Sequence, residues 1–276
     1  MPAPSFLCIG AQKAGTSWLF VQLAKHPNVW MPPVKELHFF DHLYTERNRE
    51  WTTDHIRYGV RRALKAHLDR PGAIDWEYVR YLTDMATHKL FTKPWYLRCF
   101  DLQEAQGRIC GDVTPEYSTI SMEGVQHVAR MLPHVKVIYI IRDPVERALS
   151  QLRMNVERRR VQPAESVLLK MVDEPDIENR GDYTSYLPRW RACFSAEQLL
   201  VLPYGDIRTD PKGTMRRVEQ FIGASPFQGY AYDERVHETS KFVMPEGVIA
   251  KVRQRMARQS AFLAAEFGAD FLARTL

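Results

Sequence analysis

Short apolar runs bounded by glycine, proline or charged residues recur along the chain and predict buried strands. The strand candidates span residues 5–10, 108–113, 135–141 and 199–202. The third run, VKVIYII, is almost entirely apolar and does not alternate with polar residues. A strand of this kind is covered on both faces, which is typical of a parallel sheet between two layers of helices.

Segments with apolar residues at helical spacing lie between and after these strands. The predicted helices span residues 16–26, 54–68, 75–85, 125–132, 144–160, 212–222 and 248–272. Pro27 ends the first helix, Pro144 opens the fifth, and Gly223 ends the sixth. The alternation of strands and helices predicts a single α/β domain with a central parallel sheet flanked by helices. The polar, proline-punctuated stretch 161–182 is expected to be a mobile surface segment.

Composition narrows the classes of function. The chain has 276 residues, 45% of them hydrophobic, which is enough for one sizeable core. Its net charge of +5 suits an anionic ligand, but no long Lys/Arg run indicates nucleic-acid binding. No apolar run approaches the length of about 18 residues that suggests a membrane span, and the N-terminus does not resemble a signal peptide.

The four cysteines form no C-x-x-C pair, so the sequence does not predict a zinc site. Cys8 and Cys110 lie in strand candidates and are expected to be buried thiols. Sparse cysteine usage is typical of a reducing compartment, and we expect a cytoplasmic protein.

The first candidate chemistry lies in residues 10–17, GAQKAGTS, between a predicted strand and a predicted helix. Its glycines and final serine keep the spacing of the nucleotide-binding pattern G-x-x-x-x-G-K-[ST], but Thr16 replaces the lysine and Lys13 lies within the loop. Open amides at the start of a helix attract anions. We expect Lys13 to contact the bridging oxygen of a donor with one 5′ phosphate, and Thr16 and Ser17 to bond that phosphate without a metal. The alternative is a structural turn with a surface lysine.

This loop resembles the phosphosulfate-binding loop of sulfotransferases that use 3′-phosphoadenosine 5′-phosphosulfate (PAPS). Residues 35–41, KELHFFD, resemble the next segment of the heparan sulfate glucosaminyl 3-O-sulfotransferases and their N-sulfotransferase relatives. The resemblance implies a P-loop-like sulfotransferase fold in a soluble, bacterial-like member. It also implies in-line transfer of a sulfuryl group to a hydroxyl or amine of a sugar, glycan or small molecule, with no metal required. Residues 42–108 have no clear counterpart and are expected to be a helical insertion specific to the acceptor.

A second cluster supplies candidates for the 3′ phosphate. Arg142 ends a predicted strand and Ser150 lies two turns into the next helix, at the edge where open α/β sheets bind ligands. Either residue alone is also compatible with an ordinary surface position, in which the arginine pairs with a neighbouring acid and the serine is solvated. Ser240 and Lys241 match only half of a family segment, because Phe242 follows where a glycine is usual. The resemblance implies these donor-binding residues: Lys13, Ala14, Gly15, Thr16, Ser17, Trp18, Arg142, Ser150 and Lys241.

Three residues are candidates for catalysis. Lys13 is expected to stabilise or protonate the leaving phosphate oxygen. By resemblance Glu36 is the general base, with His38 and Asp41 supporting it. On chemistry alone His38 competes for that role, because a free imidazole titrates at a pKa of about 6.5. Pairing of Glu36 with a lysine and packing of His38 in the core are the structural alternatives.

The acceptor side is less defined. The candidate substrate residues are Asp41, Asp112 and Tyr183. By resemblance Asp112 and Glu116 lie near the acceptor, Glu116 in place of a small residue, and Tyr183 lies near the acceptor and the nucleotide. Tyr186 and Trp190 belong to the same aromatic segment as Tyr183, although a packing role is equally compatible with Trp190. The identity of the acceptor, the choice between O- and N-sulfation, and the oligomeric state stay open.

Two other functions are compatible with parts of the sequence. A P-loop kinase or NTPase needs a lysine directly before Ser17, but this chain has Thr16 there. It also needs an aspartate at the end of a strand to hold magnesium, and Asp112 could supply it. A non-catalytic nucleotide- or glycan-binding protein would bind the donor product without turnover. Retention of both Lys13 and Glu36 argues against it.

Overall fold

A computed structural model describes residues 3–234 and 242–276. Its centre is a parallel sheet of five strands in the order β2-β3-β1-β4-β5. The strands are β1 Phe6–Gly10, β2 Val29–Trp30, β3 Ile109–Val113, β4 Lys136–Ile141 and β5 Leu199–Pro203. The predicted α/β class and the predicted parallel sheet are confirmed. The two-residue strand β2 was not predicted.

Helices cover the sheet and continue beyond it. They are α1 Thr16–Leu23, α2 Phe39–Tyr44, α3 Arg49–Leu68, α4 Trp76–Thr87, α5 Lys93–Arg98, α6 Met122–Met131, α7 Pro144–Arg159, α8 Glu165–Val172, α9 Pro175–Asn179, α10 Tyr183–Arg191, α11 Asp206–Thr209, α12 Pro211–Ile222, α13 Glu246–Phe267 and α14 Ala269–Ala273. No helix in residues 3–234 or 242–276 combines the length and the hydropathy needed to cross a bilayer.

Strands β1 and β4 form the centre of the core because apolar side chains point to both faces of the sheet. All five residues of β1 are buried, and so is every residue of β4 after Lys136. Cys8 and Cys110 are buried free thiols, as predicted. Because the strands are parallel, their carboxyl ends share one edge of the sheet, which is where ligands of such folds bind.

The stretch 161–182 differs from the prediction of a mobile surface segment. It forms α8 and α9, whose apolar residues join a second hydrophobic cluster with α7 and α13. Arg147 is fully buried and donates to Gln151 Oε1 (2.7 Å) and to the Ile177 carbonyl. Burial lowers the pKa of Arg147 to about 10. The segment is therefore packed against the protein and tied to α7.

The final helix also differs from its prediction. Gly268, with a φ of 83°, ends α13 at Phe267, and the short helix α14 follows separately. Two backbone hydrogen bonds hold the C-terminal residues. Asp143 N donates to the Thr275 carbonyl (2.9 Å), and Gly205 N donates to the Arg274 carbonyl (2.7 Å). The last residues therefore pack beside the segments that follow β4 and β5.

Candidate active site

The loop of residues 10–17 connects β1 to α1, and two glycines let it lie close to neighbouring segments. Gly15 has a φ of 82°, and a Cβ there would lie 2.7 Å from Ile207 Cδ1. A Cβ on Gly10 would lie 3.1 Å from the Pro115 carbonyl. No side chain among the described residues caps α1, so its first-turn amides are available to an anion.

Arg142 follows β4 and lies against this loop. Its Nη1 donates to the Lys13 carbonyl (2.8 Å), and its guanidinium carbon lies 4.5 Å from the centre of the Tyr204 ring. Arg142 N donates to the Tyr183 hydroxyl (3.3 Å), and that hydroxyl donates to the Arg142 carbonyl (3.0 Å). The structure therefore holds the Arg142 guanidinium against the loop backbone at Lys13, at the carboxyl edge of the sheet.

The electrostatics around Lys13 and Arg142 favour an anion. Partial burial lowers the pKa of Lys13, and the neighbouring Arg142 charge lowers it further. Arg142 Nε is buried and has no hydrogen-bond partner among the described residues. A bound anion would satisfy this donor and relieve the repulsion between the two cations.

The other predicted donor residues lie in the loop and α1, on α7, or beyond the described residues. Ser150 is 7% exposed on α7, and Trp18 is 8% exposed on α1, where its Nε1 donates to the Tyr232 carbonyl (3.5 Å). Gln22 fixes the same segment by bonding both the amide (3.0 Å) and the carbonyl (2.9 Å) of Ala231. Ser240 and Lys241 lie outside the described residues.

A second group of side chains follows the carboxyl end of β2. Glu36 and His38 have positive φ angles of 65° and 52°. His38 Nδ1 lies 2.9 Å from Asp41 Oδ2, and its Nε2 lies 3.5 Å from Glu36 Oε2. Asn48 Nδ2 donates to Asp41 Oδ2 (2.7 Å), and Lys35 Nζ donates to Glu36 Oε1. The imidazole therefore lies between two carboxylates.

The protonation states follow from these contacts. Burial acts to lower the pKa of His38, but Asp41 and Glu36 raise it to about 10. Burial acts to raise the pKa of Glu36, but Lys35 and His38 hold it well below its usual value of 4.5. At neutral pH His38 is thus an imidazolium and Glu36 a carboxylate.

Contacts through the segment after β3 join the two groups. Gln12 Nε2 donates to Glu116 Oε1 (3.2 Å), and Arg180 bonds both Glu116 (3.1 Å) and Gln12 Oε1 (2.9 Å). Phe39 N donates to the Tyr117 hydroxyl (3.1 Å). The loop of residues 10–17 and the segment that carries Glu36 therefore meet at the residues that follow β3.

The model of the sulfotransferase family matches residues 4–228. The chain belongs to the sulfotransferase family. Among curated relatives, this sulfotransferase is 26% identical over 245 residues to mouse bifunctional heparan sulfate N-deacetylase/N-sulfotransferase 4. It is 25% identical over 227 residues to human heparan sulfate glucosamine 3-O-sulfotransferase 3B1. The alignments cover 83% and 80% of the chain but only 23% and 46% of those relatives.

Solved structures show the same fold. A sulfotransferase from Alicyclobacillus acidocaldarius matches with a TM-score of 0.58 and 22% identity, covering 100% of this sulfotransferase and 95% of that chain. The sulfotransferase domain of the curacin biosynthetic pathway matches with a TM-score of 0.56 and 14% identity, covering 94% of this chain and 98% of that one. The predicted family and fold are confirmed.

Two residues predicted near the acceptor of this sulfotransferase are buried. Asp112 is 1% exposed and accepts hydrogen bonds from Thr114 (2.7 Å), Tyr117 (2.7 Å) and Tyr96 (3.0 Å). Tyr183 is fully buried beneath Arg142. Both side chains are therefore engaged by groups of the protein itself, and their place near the acceptor stays a prediction.

Sequence reasoning missed several residues of this sulfotransferase site. Tyr204 follows β5 at the sheet edge, a position that could have identified it. Arg180 lies in the stretch expected to be mobile. Trp51 and His55, on α3, have ring centres 4.6 Å and 4.8 Å from that of His38. No local pattern connects α3 with His38, because these contacts depend on the tertiary fold.

Proposed function

We propose that this chain transfers the sulfuryl group of PAPS to a hydroxyl or amine of a sugar, glycan or small molecule. The observation that carries the proposal is the hydrogen bond from Arg142 Nη1 to the Lys13 carbonyl, which holds the Arg142 guanidinium against the loop of residues 10–17. The residues present fit PAPS because this edge of the sheet offers open helix amides, a lysine, and an arginine whose buried Nε has no partner among the described residues. When bound, PAPS supplies the group that is transferred.

The donor would be held at both of its phosphate ends. The loop of residues 10–17 would bind the 5′ end, with Lys13 beside the bridging oxygen and Thr16 and Ser17 on the phosphate. Arg142 and Ser150 would bind the 3′ phosphate. Tyr204 stacks on the Arg142 guanidinium, and Tyr183 fixes its backbone. These two tyrosines therefore position the arginine before any ligand arrives.

Lys13 would stabilise the negative charge that forms on the leaving oxygen or protonate that oxygen. Its lowered pKa makes it a stronger acid than an ordinary lysine, which suits proton donation. The sulfuryl group carries less charge than a phosphoryl group, so a lysine and backbone amides suffice where phosphoryl transfer usually recruits magnesium. We therefore propose that transfer needs no metal.

Glu36 is the residue that would accept the proton of the acceptor. His38 competed for this role on chemistry alone, but both its nitrogens carry protons while its pKa stays near 10. Its side chain is also fully buried, whereas that of Glu36 is 29% exposed. Asp41 fixes the orientation of His38, and the imidazolium in turn orients the Glu36 carboxylate.

The acceptor would enter beside residues 42–108, which form helices next to the Glu36 group. The curated relatives are named for action on heparan sulfate, so we propose a sugar or glycan acceptor and a single sulfotransferase domain whose helical segment selects it. Four free cysteines suit a reducing environment, and we propose a cytoplasmic protein.

The proposal is tested by incubating the protein with PAPS and pools of sugars, glycans and small hydroxylated metabolites. Mass spectrometry should find an acceptor that gains one SO3 group while 3′-phosphoadenosine 5′-phosphate (PAP) accumulates, with the same yield in EDTA. PAP binding without any product would indicate the non-catalytic alternative. Magnesium-dependent hydrolysis of ATP or GTP, abolished by EDTA, would indicate the kinase or NTPase.

A further inference from the structure

Three potential metal ligands meet beside the proposed base. One ligand atom each from Glu36, His38 and His55 lies within 4.8 Å of the other two. In a tetrahedral zinc site with bonds of about 2 Å, ligand atoms are about 3.3 Å apart. His38 Nε2 and Glu36 Oε2 are already 3.5 Å apart. Small side-chain movements would therefore bring the three groups to metal-binding distances.

The orientation of His38 matches that of a metal ligand. Its Nδ1 lies 2.9 Å from Asp41 Oδ2, and Asn48 holds the same carboxylate oxygen. Metal-binding histidines commonly use a carboxylate in this way, which directs the other nitrogen to the metal. Here the other nitrogen, Nε2, belongs to a fully buried side chain and has no hydrogen-bond partner among the described residues. A metal ion would give this atom a partner.

His55 contributes the second imidazole from α3. Its Nε2 lies 3.0 Å from the Lys35 carbonyl, and because a carbonyl only accepts, that nitrogen carries the hydrogen. The lone pair is then on Nδ1. The ring centre of His55 lies 4.8 Å from that of His38, so the two imidazoles are neighbours.

We propose that Glu36, His38 and His55 form an inhibitory site for Zn²⁺ or a similar transition-metal ion. Two imidazoles and one carboxylate with an open fourth position are a common zinc donor set, whereas magnesium prefers oxygen ligands alone. Binding displaces Lys35 from Glu36 and releases the His38 proton to solvent.

Inhibition follows from the role of Glu36. A carboxylate coordinated to Zn²⁺ cannot accept the proton of an acceptor hydroxyl, so transfer stops while the ion is bound. This consequence rests on the proposed function, whereas the metal site itself does not. Free Zn²⁺ would then regulate the enzyme directly at its base.

Metal binding is tested on the whole chain without PAPS or acceptor. Zn²⁺ is titrated against a chromophoric chelator with the wild type, His55→Gln and His134→Gln. His55→Gln removes an imidazole but keeps an amide that can donate to the Lys35 carbonyl. His134 is exposed and serves as the matched control. We expect one Zn²⁺ per wild-type chain, unchanged binding by His134→Gln, and an affinity at least about tenfold weaker in His55→Gln. Equal affinity of all three proteins would overturn the site.

Inhibition is tested by measuring PAP release with and without Zn²⁺, each variant against its own zinc-free rate. Zn²⁺ should inhibit the wild type and His134→Gln, EDTA should restore the rate, and His55→Gln should need at least about tenfold more Zn²⁺. Full transfer with Zn²⁺ bound would overturn the inhibitory role. A chain that transfers nothing under any condition would refute the proposed function, and the chelator titration would still decide the site.

Discussion

Replacing Lys13 with alanine should lower the rate of sulfuryl transfer by about a thousandfold, the largest effect expected of any single substitution in the donor loop. The Arg142 guanidinium bonds the Lys13 carbonyl, and Lys13 is the side chain assigned to the charge that forms on the leaving oxygen. That charge is larger in the transition state than in the bound donor, so kcat should fall far more than the affinity for PAP. Stopped assays of PAP release and calorimetry of PAP binding measure the two effects.

Lys170→Ala is the matched control, because Lys170 is an exposed lysine of α8, outside the donor loop and residues 42–108. It should transfer at the wild-type rate, and both variants should show the circular dichroism of the wild type. A Lys13→Ala protein with full activity would refute the role of Lys13 at the leaving group.

Replacing Glu36 with glutamine should lower transfer by about a hundredfold to ten-thousandfold, the usual contribution of a general base. Glutamine keeps the size of the side chain but cannot accept a proton at neutral pH. Affinity for PAP should be unchanged, because Glu36 is assigned to the acceptor. Glu197→Gln, at an exposed glutamate that precedes β5, is the control and should retain the wild-type rate. Loss of PAP binding together with activity would contradict this assignment.

The pH profile of kcat separates the two candidate bases. The pKa of Glu36 is held well below 4.5, so its carboxylate is present throughout the neutral range and is lost only in strong acid. The pKa of Lys13 is lowered from its usual value of 10.5. On the alkaline side the ammonium group should therefore lose its proton, and the rate should fall, at a pH below 10.5. We expect a plateau across neutral pH. A rate that rises through the pH where His38 titrates would instead identify His38 as the base.

Local sequence patterns were sufficient to predict the elements that we propose bind the donor. The continuous apolar run of β4 predicted a strand covered on both faces, and Arg142 at its end could be placed at the binding edge. The glycine spacing predicted a loop open to an anion, and the positive φ of Gly15 agrees with that requirement. These features follow from short-range sterics and hydrophobic periodicity, which a single sequence contains.

Features that depend on distant contacts could not be predicted. The polar stretch 161–182 folds because Arg147 of α7 is buried against the Ile177 carbonyl and because α13 covers its apolar side. His55 reaches His38 only after α3 packs beside the segment that follows β2. Strand β2 has two residues, too few for any periodicity, and its pairing with β3 defines it. Tertiary packing decided each of these features.

Calorimetry of PAP and AMP binding tests most directly whether one nucleotide bridges the loop and Arg142. The two ligands differ in the 3′ phosphate, and charge-assisted hydrogen bonds to a guanidinium contribute about 1.5–3 kcal/mol, or about tenfold to a hundredfold in affinity. Wild-type protein should bind PAP at least about tenfold tighter than AMP, and Arg142→Ala should remove this difference in affinity. Equal affinity of the wild type for PAP and AMP would contradict the account.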